Sequence, residues 1–410
     1  MGYTKNTITG VWWTGLLRGS ARILALVRTA ILARLLSPEE FGFFGIAAIT
    51  LGFLEMLLET GINIFLIQED EKKISTYIDT AWIVSIVRGT LIALTLLLAA
   101  PWVANFFQVP SSLNLLRLIA IVPFIRGLIN PAVIYFQKLL KFKPEFWFRI
   151  SLTLVDAMVA ITVVLITRSV AGIIWGLIAS AVVEVVLSHI IFPQRPTLSF
   201  NFSRLKRIIS RGKWITVSSL FNFLSKQGVD GVVGKLIGPA QMGLFQLSQR
   251  VASEPASEVT DVFGKVTFPV YVRIAKDAKR VRKAYQRNLA TVLALVTPLI
   301  LVVILFPTFL IKLFLGSQWL KAAPLITPLA IYALVRTVTT TTAPIILAFK
   351  KQKFLSIIAT TKLAVIAITV IPLTSNLGTL GTIRSLLLSS VVTLPMSLYF
   401  VHRLTKSDSK

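Results

Sequence analysis

The chain has 410 residues, 55% of them apolar, with 43 Lys and Arg against 17 Asp and Glu and no Cys. The missing thiols exclude disulfides and thiolate metal sites. Apolar runs such as GTLIALTLLLAAPWVANFF and NLATVLALVTPLILVVILFPTFL exclude a soluble domain, since each can cross a hydrocarbon core that takes about 20 residues at ~1.5 Å rise. A formal charge of +26 is the usual footprint of phosphate binding, but its distribution between membrane spans points away from nucleic acid.

Twelve spans are predicted, over residues 8–36, 41–68, 76–100, 112–136, 146–167, 170–192, 214–236, 242–269, 288–315, 323–349, 354–374 and 378–401. The first holds Arg18, Arg22, Arg28 and Arg34. An Arg near the middle of a lipid-facing helix costs roughly 2.5 to 3.5 kcal/mol, so these four face something other than lipid. Arg18 and Arg22, four apart, share one helix face.

On the second span Glu55 and Glu59 are also four apart. They either pair with first-span arginines or carry a coupling ion. Arg88 lies in the third span, Arg117 and Arg126 in the fourth, with Asp79 and Asp156 as candidate partners. The seventh and eighth spans are the most polar, with Lys226 and Asp230, then Arg250, Glu254 and Glu258; Pro255 is expected to interrupt the eighth helix. Within the spans cations outnumber acids, so an anionic substrate or counter-ions in a wet cavity must supply the difference.

Loops on one side carry 26 Lys and Arg, among them Lys138, Lys141, Lys143 and Arg149; the other side has Arg168 and Lys321. Retention of such charge on the cytoplasmic side places both termini there, in a multi-pass protein of the cell membrane. FSRLKRIISRGK and YVRIAKDAKRVRKAYQR mix bases with helically spaced apolar residues, a pattern for an interfacial helix on anionic lipid headgroups or for a solvated linker.

Two halves read alike. LARLLSPEEFGFF is echoed by VGKLIGPAQMGLF, and PAVIYFQK by PIILAFKK, in the same order. They predict an all-α membrane protein of about twelve helices in two parallel-repeat, six-helix lobes around a central cavity. The expected divisions are 1–192, a basic cytoplasmic linker at 193–213, and 214–410.

The stretch GVWWTGLLRGSARILALVRTAILARLLSPEEFGFFGIAAITLGFLEMLLETGINIFLIQ resembles the amino-terminal pattern of the polysaccharide (O-antigen and exopolysaccharide type) flippases of the multidrug, oligosaccharidyl-lipid and polysaccharide exporter superfamily. The resemblance continues through YFQKLLKFKPEFWFRISL, RGKWITVSSLFNFLSKQGVDGVVGKLIGPAQMGLF and FPVYVRI, covering roughly residues 8–290. It implies transfer of polyprenyl-pyrophosphate-linked oligosaccharide from the inner to the outer leaflet by alternating access, with H+ or Na+ as coupling ion and no cofactor or metal. Polysaccharide assembly proteins become candidate partners alongside anionic membrane lipids.

Pyrophosphate oxygens accept forked guanidinium donors. Arg18, Arg22 and Arg250 therefore lead the candidate substrate ligands, followed by Arg28, Arg88 and Arg126. Glu55, Glu59, Asp230, Glu254 and Glu258 are the candidate coupling or charge-pairing acids. Two His, no metal-ligand spacing and a longest loop of about 20 residues leave no catalytic constellation. The rival readings are an organic-cation antiporter of the same superfamily, opposed by surplus arginine, and a non-transporting scaffold, which has no need of mid-membrane charge.

Overall fold

Helix follows helix through the computed structural model, which describes residues 2–58, 62, 66, 71–139, 141–199, 201–205, 223–224, 227–406. Of the helical residues 2–15, 17, 18, 71–75, 137, 265 and 269 only the backbone is described. Eight helices among the described residues are long and apolar enough to cross a membrane. The chain divides into two compact units, Met1–Gly231 and Val232–Lys410. The predicted linker at 193–213 falls partly outside the described residues, as do Glu59 and Lys226.

In the first unit, α1 (Gly2–Leu35) passes to α2 (Pro38–Leu57) through the LSPEEFG motif, whose chemistry is that of a helix start. Ser37 Oγ accepts from Glu40 N at 3.3 Å while the Glu40 carboxylate accepts from Ser37 N at 2.8 Å. Two amides with no partner inside the helix are satisfied together, and Pro38 occupies a position where an N–H has no use. The echo in the second half shares the proline alone: α9 (Pro239–Ile274) begins on Pro239, but its cap is Gly238, which offers no side-chain bond.

α3 (Glu71–Phe106) precedes the first departure from expectation. The predicted fourth span is not one helix but α4 (Leu113–Ile119), α5 (Ile121–Gly127), a 3-10 turn over Pro131–Ile134 and the single turn α6 (Tyr135–Lys138). Pro131 cannot continue a hydrogen-bond ladder, and fully buried Asn130 absorbs the break. Its Oδ1 accepts from Ala132 N at 2.9 Å, its own N–H donates to Ser188 Oγ at 3.1 Å, and its Nδ2 donates to the Gln194 carbonyl at 2.8 Å.

The unit closes with α7 (Phe142–Thr167) and α8 (Ala171–Ile191). Arg28 of α1 donates to Asp156 of α7 at 3.0 Å, with both side chains largely buried.

The second unit comprises the helical residues 232–236, α9, α10 (Ala278–Leu305), α11 (Pro307–Phe314), α12 (Ala323–Ala348), α13 (Gln352–Leu377) and α14 (Thr379–Thr405). α9 runs unbroken through Pro255, against the expected interruption. An exposed proline ring costs such a helix one hydrogen bond, and neighbouring hydroxyls such as Ser257, which donates to the Ser253 carbonyl at 3.0 Å, shield other carbonyls nearby. Pro344, the echo of Pro131, likewise stays inside a helix, α12. Hydroxyl pairs join α13 to α14, Thr369 to Ser385 at 2.7 Å and Thr374 to Thr382 at 2.8 Å.

Candidate functional site

Two Arg-Gly pairs build the first unit's cavity. Gly89 of α3 and Gly127 of α5 meet where the helices cross: a Cβ on Gly89 would lie 2.3 Å from the Pro123 carbonyl oxygen, and one on Gly127 2.8 Å from that of Ser85. Only glycine lets the two backbones approach this closely. Arg88 and Arg126, each one residue before its glycine, are therefore carried to the same place, midway along α3 and at the end of α5.

Gly89→Ala is expected to force the crossing apart at a cost of about 1–3 kcal/mol. The unfolding temperature in detergent should fall accordingly, and an unchanged value would mean that the crossing relaxes freely.

Below the crossing lies a cavity of about 320 Å³ whose charged walls are Glu55, Arg88, Arg126, Arg149 and Glu184, with Ser85 and Asn130 adding polar atoms. Arg88 Nη2 donates to the backbone carbonyl of Glu55 at 2.8 Å, which fixes that guanidinium. Arg126 Nη1 stands 3.9 Å from the Glu55 carboxylate, and Arg149 Nη1 is 3.3 Å from that of Glu184. Three guanidinium groups thus face two carboxylates. Among the described walls guanidinium outnumbers carboxylate, and guanidinium stays ionised. Such a wall suits an oxyanion with several acceptors.

The structure brings Glu55, Arg88 and Arg126 together, as three of the residues singled out from sequence. Arg28 is engaged with Asp156, which lies on the same face of α7 as Arg149 about two turns further along, and neither member of that pair lines the cavity. Arg22 is half-buried on α1 and is not among the cavity's walls, and the side chain of Arg18 is outside the described set. Asp230 is half-buried near the end of the first unit; Arg250, Glu254 and Glu258 lie on α9 of the second, Arg250 and Glu258 exposed and Glu254 half-buried.

Arg149, Glu184 and Asn130 were not among the candidates. Arg149 was counted with the loop cations, yet it sits in the second turn of α7 facing the cavity. Its place inside the apolar register FWFRISL was the available signal. Asn130 carried none beyond preceding a proline.

Comparison with known proteins gives the setting. The family described as polysaccharide biosynthesis protein matches residues 31–324, a range that contains every wall of the cavity. The chain is 24% identical over 360 residues to the teichuronic acid biosynthesis protein TuaB of Bacillus subtilis, covering 84% of this chain and 72% of that protein. It is 25% identical over 330 residues to the succinoglycan biosynthesis transport protein ExoT of Rhizobium meliloti, covering 80% and 66%.

Among solved structures, the lipid II flippase MurJ in an inward closed conformation superposes with a TM-score of 0.75 at 15% identity, over 95% of this chain and 87% of that one. An inward-facing MATE family multidrug transporter gives 0.66 at 13%, over 95% and 96%. Identities this low speak to the fold alone.

Proposed function

Because the chain belongs to the polysaccharide biosynthesis protein family, we propose that it is a flippase, carrying polyprenyl-pyrophosphate-linked saccharide from the cytoplasmic to the outer leaflet of the cell membrane by alternating access. The observation that carries this reading is the cavity that gathers the guanidinium groups of Arg88, Arg126 and Arg149, with Glu55 and Glu184, in a unit of membrane-length helices. An isolated charge there is expensive and marks a pathway for something of opposite sign.

The pyrophosphate takes the guanidinium donors, the saccharide follows through water, and the polyprenyl tail stays in lipid. A cavity of about 320 Å³ is at the small end of ligand sites, about 300–1,000 Å³. That suits the charged linkage rather than the whole glycan. Arg18, Arg22 and Arg250 belong to the same proposal as further cations along the path, and Arg28 serves the fold through Asp156.

The relatives' names for teichuronic acid and succinoglycan, and the shared fold with a lipid II flippase, agree with such a substrate. The fold is also that of a multidrug transporter, but a wall on which three guanidinium groups gather is a poor seat for an organic cation. The loop charges orient both termini toward the cytoplasm. Glu55, beside Arg126, is the leading acid for coupling to H+ or Na+; imposing each gradient on proteoliposomes identifies the ion, and flux indifferent to both would remove Glu55 from that role.

The direct test is ligand retention by the intact protein in mild detergent, read by native mass spectrometry. Wild type should hold polyprenyl-pyrophosphate saccharide, with retention lowered in Arg126→Ala, Arg22→Ala and Arg250→Ala. Retention of organic cations in its place would transfer the protein to the drug-antiporter reading.

A further inference from the structure

One end of the second unit is a plate of exposed cations. There α9 ends and α10 begins, α12 passes to α13, and α14 ends. The seven Lys and Arg of 273–287, the three Lys of 350–353, and Arg403 with Lys406 are all exposed. They are held in place from beneath: Tyr271, Val281, Tyr285, Ile345, Ala348 and Val401 form one buried cluster, so the ends of α9, α10, α12 and α14 are a single packed body, with Lys353 at the start of α13 beside it.

Among the described residues these cations have no acidic partner. The one acid among them, Asp277, spends its carboxylate on capping α10, accepting from Arg280 N at 3.0 Å. None of the twelve forms an ion pair among the described residues. The first unit differs: Lys138 donates to the Leu66 carbonyl at 3.3 Å, Arg204 to that of Thr76, and Arg149 pairs with Glu184. Retention of positive charge on one side of a membrane accounts for a bias but not for its gathering on one packed set of helix ends without an ion pair among the described residues.

We infer that this end of the second unit is a docking surface for anionic phospholipid headgroups. The chemistry beside the charges selects lipid over an acidic protein. Val270, Val272 and Tyr399 are exposed apolar or aromatic side chains directly adjoining the cations, and α10 passes from its basic turns into the apolar run LATVLALV. A partner for this surface must be anionic above and apolar below, which describes a headgroup on its acyl chains.

The test uses the full chain in nanodiscs of equal phosphatidylglycerol and phosphatidylcholine, with the lipids that stay bound counted by native mass spectrometry. Wild type should keep phosphatidylglycerol several-fold over phosphatidylcholine. Preference should fall to near parity in the variant Arg280→Gln, Arg282→Gln, Lys283→Gln, Arg287→Gln, and survive when the three arginines are changed to Lys. No preference in wild type, or a preference untouched by the Gln changes, overturns the inference. Should the Gln variant not fold, a photoreactive phosphatidylglycerol on wild type decides: labels within 273–287 or 350–353 support docking there, and labels confined elsewhere refute it. Capture of an acidic protein without phosphatidylglycerol preference would assign the face to that protein instead.

Discussion

Arg126→Ala is expected to lower the transport of polyprenyl-pyrophosphate saccharide in proteoliposomes roughly a hundredfold. Arg126 faces the Glu55 carboxylate at 3.9 Å, too far for a tight hydrogen bond, so its donors are available to a phosphate that enters. A charged hydrogen bond of that kind is worth about 1.5–3 kcal/mol, and each 1.4 kcal/mol is about tenfold. Arg126→Lys should fall between, because it keeps the charge and loses the fork. The amount of folded protein should stay near that of wild type, since a partly exposed ion pair contributes only about 0–1 kcal/mol. Wild-type flux in Arg126→Ala would remove this residue from the substrate's path.

A second large effect belongs to stability. Asp156→Ala leaves Arg28 in a buried position without the carboxylate that meets it at 3.0 Å. Breaking such a pair from one side costs about 3–5 kcal/mol, whereas replacing both partners with apolar residues is often neutral. The single variant should unfold at a much lower temperature in detergent, and Arg28→Leu with Asp156→Leu should recover most of the loss. Equal melting of Asp156→Ala and wild type would show that the pair does not hold α1 to α7.

Much of the fold was legible because span length and apolar content are local properties. The prediction over 323–349 meets α12 at Ala323–Ala348, and that over 378–401 meets α14 at Thr379–Thr405. Prolines were less readable, since their effect depends on what surrounds them. Pro255 passes through α9 intact, while Pro131 marks a real break because Ser188 and Gln194, from distant sequence, stand ready to take up Asn130.

The charges were visible individually, but their grouping was not. Arg88 and Arg126 announce themselves in apolar runs, yet only the glycine contact brings them together. Arg28 and Asp156 are 128 positions apart, a pairing set by how α1 lies on α7. Arg149 was misplaced for another reason: it lies inside the span expected over 146–167, but following Lys138, Lys141 and Lys143 it was grouped with the basic loop.

The contact of Gly89 with Gly127 also bears on motion. The close contact is confined to one turn of each helix, 85–89 against 123–127, and in any rotation about it displacement grows with distance from the pivot. Phe106 at the end of α3 is about 25 Å from Gly89 at ~1.5 Å per residue, so a rotation of about 10° would swing it by about 4 Å. The backbone of Arg88, one residue from the pivot, would move about 0.3 Å. In such a rotation the helix ends would travel while the backbones that carry the two guanidinium groups kept their spacing, so the anion of the proposed function would not have to be released for the walls around it to tilt.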